Sequence, residues 1–101
     1  MSEQTCPSIT WSELKSSLFG HRTPKVIDVR EVHEYREGHI EGSILIPLGT
    51  LPQRAVELHK DEDLIVVCRS GNRSREACEI LRGQGFRSVR SLTGGLSSWT
   101  A

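Results

Sequence analysis

Cys68 is the residue of this sequence best placed to do chemistry. It closes the apolar run Leu64-Ile65-Val66-Val67 and is followed by Arg69-Ser70-Gly71-Asn72-Arg73-Ser74. In open α/β sheets ligands collect beyond the carboxyl ends of the strands, and Cys68 falls at such an end. Gly71 and Asn72 tolerate left-handed backbone angles, so the chain can curve and point successive N–H groups inward. A helix beginning near Arg73 aims its free N–H groups and the positive end of its dipole at the same spot. Arg73 adds a fixed cation, and Arg69 and Arg75 strengthen the local positive field. A thiol in that cradle is favoured as thiolate, the nucleophilic form. The substrate expected there is a small anion, or a group that becomes anionic during transfer. A cysteine at a strand end is more often a small buried hydrophobe. Here strand, turn, helix and basic residues all agree on the reactive reading.

The elements that must position this loop are legible as a recurring order of short apolar strand, polar turn and helix. Strands are expected over 26–29, 43–46, 64–67 and 88–92, with a short edge strand over 8–10. Their runs are continuously apolar rather than alternating, which suits strands buried on both faces of a parallel sheet. Between them, Trp11, Leu14, Leu18 and Phe19 share one face of a helix capped by Thr10 or Ser12 and ending near Gly20. A short charged helix is expected over Glu31–Glu37, closed by Gly38. Leu51, Ala55 and Leu58 stand at helical spacing. A helix over Ser74–Gln84 places Ala77, Cys78 and Leu81 on one face, with Gly85 as its C-terminal cap. The fold class is α/β, a three-layer sandwich joined by right-handed crossovers.

The chain has 101 residues, enough for one domain spanning 1–101 and not for two, with 1–7 expected as a mobile tail. Thirteen basic and thirteen acidic residues give a formal net charge of zero, so the overall field argues for neither nucleic acid nor an anionic membrane. Cys6, Cys68 and Cys78 are an odd number without a CxxC pair. That is a poor disulfide framework, and it points to a reducing compartment and a cytoplasmic protein. Cys78 reads as a core residue on its helix, and Cys6 as a tail residue without a role. His33, His39 and the other histidines form no ligand-like spacing, so no metal is expected.

The loop Cys68-Arg-Ser-Gly-Asn-Arg73 resembles the active-site loop of the rhodanese domains, a sulfurtransferase family. The resemblance runs almost the length of the chain. Val26-Ile-Asp28-Val-Arg30-Glu31, Glu34-Tyr35 and Gly38-His39-Ile40-Glu41-Gly42-Ser43 are similar to its first motif. Leu45-Ile46-Pro47-Leu48 continues it, and Leu92-Thr93-Gly94-Gly95-Leu96-Ser97-Ser98-Trp99 resembles the closing motif. Ser43 stands where alanine is common. The resemblance implies a mainly parallel sheet of about five short strands with helices on both faces. It also implies a double displacement in which Cys68 takes sulfur from a donor such as thiosulfate. The persulfide formed then passes its sulfur to cyanide, a thiol or a protein. Arg69, Ser70, Gly71, Asn72 and Arg73 would bind the substrate, no cofactor is implied, and a monomer suffices.

Two rival functions compete with sulfur transfer. Cysteine phosphatases and arsenate reductases of related architecture place five residues between cysteine and arginine, whereas four separate Cys68 from Arg73 here. The tighter loop suits a single sulfur atom better than a tetrahedral oxyanion. Non-catalytic binding modules of the family often lack the cysteine, glycine or arginine that this chain keeps. Asp28 and His39 read as ties between strand ends. Arg30 and Glu34 lie near the mouth of the site or pair with each other at i, i+4. The Gly94-Gly95 turn is read as a backbone requirement, and Trp99 as packing on the domain.

Overall fold

The structure is a computed structural model that describes residues 6–20 and 23–98. Five strands, β1 (Ser8–Ile9), β2 (Lys25–Asp28), β3 (Ile44–Leu45), β4 (Asp63–Val67) and β5 (Ser88–Leu92), form one sheet in the order β1-β5-β4-β2-β3. Every pairing is parallel. Among the described residues the α-helices are α1 (Trp11–Leu18), α2 (Val32–Glu37), α3 (Leu51–Arg54) and α4 (Asn72–Gly83). Strand β4, which carries Cys68 beyond its end, is central, between β5 and β2.

The continuous apolar runs are explained by burial on both faces. Ile27, Leu64 and Val66 point into one core with Leu51 and Ala55, and with Ala77 and Leu81 of α4. Their neighbours Val26, Ile65 and Val67 point into a second core with Leu14 of α1, Ile9 and Leu92. A strand with side chains alternating into two cores has no polar face to show. Each fully buried Leu, Ile or Val contributes roughly 1.5–3 kcal/mol of transfer free energy. The three-layer α/β expectation is met.

Local signals set most element boundaries. Thr10 caps α1 through a reciprocal pair: Glu13 N–H donates to Thr10 Oγ1 at 3.1 Å, and Thr10 N–H donates to Glu13 Oε1 at 2.9 Å. Gly38 ends α2 as expected. Three details differ. Phe19 lies just past α1 and is exposed, because the helix stops one residue before the apolar face reaches it. Helix α4 starts at Asn72 rather than Ser74, because left-handed Gly71 (φ 101°) turns the chain directly into helical geometry. The expected helix over 51–58 is α3 followed by a tighter turn over Ala55–Glu57.

The reading of the cysteines needs correction. Cys6 and Cys78 form a disulfide, with 6.0 Å between their Cα atoms and a sequence separation of 72. Cys68 is the free cysteine. Spacing could not show this, because the parallel pairing of β1 with β5 is what brings Cys6 beside α4. The reducing-compartment inference drawn from the cysteine count loses its basis. Pro7 is tied in as well, since its carbonyl accepts from Ser91 N–H at 2.9 Å. Residues 1–5 of the expected tail, and Trp99, lie outside the described residues. Among the described residues no helix is long and apolar enough to cross a membrane.

Candidate active site

Cys68 is wholly buried at the carboxyl end of β4. Its Sγ accepts hydrogen bonds from Gly71 N–H at 3.0 Å and Ser74 N–H at 3.2 Å. The chain therefore closes over the sulfur, with amides at the start of α4 directed at it. Asn72 and Arg73 occupy the first turn of that helix, where N–H groups have no intrahelical acceptor. Charge developing on the sulfur meets both the aligned amides and the helix dipole.

Two other segments hold the loop in shape. Ser74, fully buried, donates to or accepts from Ser91 Oγ at 2.7 Å, and its hydroxyl reaches the Gly71 carbonyl at 3.2 Å. This fastens the start of α4 to β5. The Gly94-Gly95 turn then fastens the start of the loop. Leu96 N–H donates to the Cys68 carbonyl at 2.7 Å, and Ser97 N–H to the Arg69 carbonyl at 2.9 Å. Gly95 has φ 64°, and a Cβ there would stand 2.5 Å from both of those carbonyl oxygens. The glycine is needed for close backbone approach to the loop as well as for its own turn.

The charged residues pair differently from the i, i+4 alternative. Asp28, fully buried, accepts from the Arg30 guanidinium at 2.8–3.1 Å and from Arg30 N–H at 3.0 Å. Arg30 also donates to the Gly38 carbonyl at 2.7 Å. Glu34 instead grips Arg73 with both oxygens, at 2.8 and 3.0 Å. Bidentate geometry of this kind is the strong form of ion pair. The Arg73 guanidinium holds the Glu34 carboxyl down at about 2, with help from the Glu31 backbone N–H. In return Glu34 raises Arg73 above its ordinary value, with a smaller contribution from the charge of Cys68. Arg73 is thus a cation already committed to a carboxylate, not a free one.

Of the residues singled out by sequence, the structure gathers Cys68, Ser70, Gly71, Asn72 and Arg73 in one turn. Arg69, Ser70 and Asn72 are exposed at its rim. Gly71 takes the left-handed angle expected, whereas Asn72 does not need it. His39 does not join strand ends as expected: its Nδ1–H donates to the Tyr35 carbonyl of α2 at 2.8 Å and its ring stacks on Tyr35. Sequence reasoning missed Ser74, Ser91 and the Glu34 clamp. The glycine pair at 94–95 and the position of Glu34 after Arg30 were visible signals, but their partners are remote in sequence.

Known proteins resemble this chain over most of its length. The family model for the rhodanese-like domain matches residues 10–101. The chain is 35% identical over 94 residues to the YrkF protein of Bacillus subtilis, covering 93% of this chain but only 51% of that one. It therefore spans about half of that relative. It is also 38% identical over 74 residues to the thiosulfate sulfurtransferase GlpE of Stutzerimonas stutzeri, covering 73% of this chain and 68% of GlpE. The crystal structure of a rhodanese-like domain protein from Staphylococcus aureus superposes with a TM-score of 0.88 at 33% identity, over 93% of this chain and 91% of that one. Loop, sheet order and relatives lead to one conclusion: the chain belongs to the rhodanese-like domain family.

Proposed function

We propose that this chain is a sulfurtransferase that moves sulfane sulfur from a small anionic donor such as thiosulfate to a thiophilic acceptor, through a persulfide on Cys68. The observation that carries this reading is the free Cys68 sulfur facing the Gly71 and Ser74 amides at the start of α4. In the first step the Cys68 thiolate attacks the outer sulfur of thiosulfate. The donor's S–S bond breaks, and sulfite leaves with the bonding electron pair. In the second, cyanide or a thiolate attacks the outer persulfide sulfur, and the Cys68 thiolate is released unchanged.

The rim of the loop suits these steps. Asn72 and Arg73 amides, free of intrahelical acceptors, stabilise a terminal persulfide sulfur as it gains charge. Arg73, held by Glu34, positions the loop, and its net field at the site is smaller than that of a free arginine. Arg69 and Ser70 contact donor or acceptor from the exposed side. Because Cys68 has no exposure in the closed loop, a reagent reaches Sγ only as the loop parts. That requirement favours small donors over bulky ones. The thiosulfate-specific name of GlpE supports this donor as the first to try.

The test is thiocyanate production from thiosulfate and cyanide by the native protein and by Cys68→Ser. Turnover that disappears in the variant is expected. A variant as active as the native chain would refute the assignment.

A further inference from the structure

The two sulfurs of the Cys6–Cys78 disulfide face unlike surroundings. Cys78 is wholly buried on α4 within an apolar core that includes Ala77, Leu81 and Val89. Cys6 is only partly buried and lines a cavity of about 330 Å³ beside the catalytic loop. That volume lies at the lower end of the roughly 300–1,000 Å³ found for small-molecule sites. The cavity walls include Ser8, Ser70, Asn72, Arg75 and Thr93, so they offer hydroxyls, an amide and one guanidinium. Arg75 is exposed, and no ion pair among the described residues uses it. Cys68 is not part of these walls, although Ser70 and Gly71 of its loop are.

We propose that the Cys6–Cys78 disulfide is a second reactive sulfur site, at which a small anionic thiol held in this cavity exchanges with Cys6. Access decides which sulfur of a disulfide is attacked. A thiolate in the cavity meets Cys6 Sγ, and forms a new S–S bond to it. The Cys6–Cys78 bond breaks, its electron pair goes to Cys78 Sγ, and that sulfur ends as a thiol with the proton the incoming thiol gave up. A second thiolate then attacks the small-molecule sulfur of the mixed disulfide, whose bond to Cys6 breaks with its electron pair going to Cys6 Sγ. It leaves with the first as a small-molecule disulfide, and Cys6 is left as a thiol. Two thiols are oxidised and one protein disulfide is reduced, so the exchange balances. Arg75 supplies attraction for an anionic thiol. The cavity shares Ser70, Gly71 and Asn72 with the Cys68 loop, so occupancy there touches the catalytic turn directly.

The experiment uses the full chain carrying Cys68→Ser, oxidised at Cys6–Cys78, so that neither thiol can be captured at residue 68. Mercaptoacetate (anionic) and mercaptoethanol (neutral) are compared, each rate normalised to that thiol's own rate with a neutral model disulfide. Adducts are trapped by acid and located by peptide mass mapping. The expected result is a mixed disulfide on Cys6, with mercaptoacetate faster by about two- to fivefold, the worth of one exposed ion pair. That advantage should vanish when Arg75→Ala is added. Adducts on Cys78, equal normalised rates, an advantage that survives Arg75→Ala, or reduction only after unfolding would each overturn the proposal. None of these outcomes depends on sulfur transfer at Cys68.

Discussion

Cys68 and Cys78 are both completely buried, and both touch the same helix, yet their surroundings suit opposite chemistry. Cys68 sits before the start of α4, where Gly71 and Ser74 N–H groups point at its sulfur. Cys78 sits in the body of α4, where its sulfur is bonded to Cys6 and the polar atom beside it is the Val89 carbonyl, at 3.6 Å. Donors stabilise a thiolate, whereas a carbonyl oxygen and apolar side chains oppose one. Burial alone therefore says little about a cysteine. The direction of the neighbouring backbone dipoles decides whether it is favoured as a nucleophilic thiolate.

Exchanging these two sulfurs for oxygen is the sharpest way to break the comparison. Cys68→Ser should reduce thiocyanate formation at least about 1,000-fold, because no nucleophilic sulfur is left to carry the intermediate. Its urea midpoint should barely move. Gly95→Ala comes next in size. The added Cβ would collide with the Cys68 and Arg69 carbonyls and displace the loop. Misplacement by about 1 Å can cost on the order of 100-fold in rate, and that loss is expected in turnover with the fold retained by circular dichroism. Near-native turnover would mean that the glycine serves only its own turn.

Glu34→Gln should have a smaller effect, about tenfold on turnover, because Arg73 keeps its place but loses a charged partner. The pH dependence of stability gives a second reading of the same clamp. Glu34 titrates at about 2 instead of the ordinary 4.5, so its stabilising contribution is complete above 4.5 and is lost as the pH falls towards 2. The stability difference between native protein and Glu34→Gln, measured by urea unfolding, should therefore shrink across that range. A constant difference would show that the carboxylate charge does not matter. Cys78→Ser should change transfer least, within about twofold. It should lower stability by about 2–4 kcal/mol, the usual worth of a disulfide closing a long loop.

The features of the fold and site legible in the sequence were those written in local pattern. Leu64–Val67 announced a strand buried on both faces, Thr10 or Ser12 marked a helix start, and Gly71 marked a left-handed turn. The loop after Cys68 could be read because strand end, turn and helix start are consecutive. Partners brought together by sheet order could not be read. The Glu34–Arg73 pair spans 39 positions, Ser74–Ser91 spans 17, and Cys6–Cys78 spans 72. Each depends on parallel strands returning to the same end of the sheet. Periodicity in one segment carries no record of that.

Whether the donor-cradled sulfur of Cys68 carries the transfer is read from where sulfur lands. The native protein would be incubated with thiosulfate, the intact mass recorded, and the modified cysteine located by peptide mapping before and after cyanide. One added sulfur atom is expected, on Cys68, removed by cyanide. Sulfur found on Cys6 or Cys78, or a mass unchanged by thiosulfate, polysulfide and glutathione persulfide alike, would contradict transfer through Cys68.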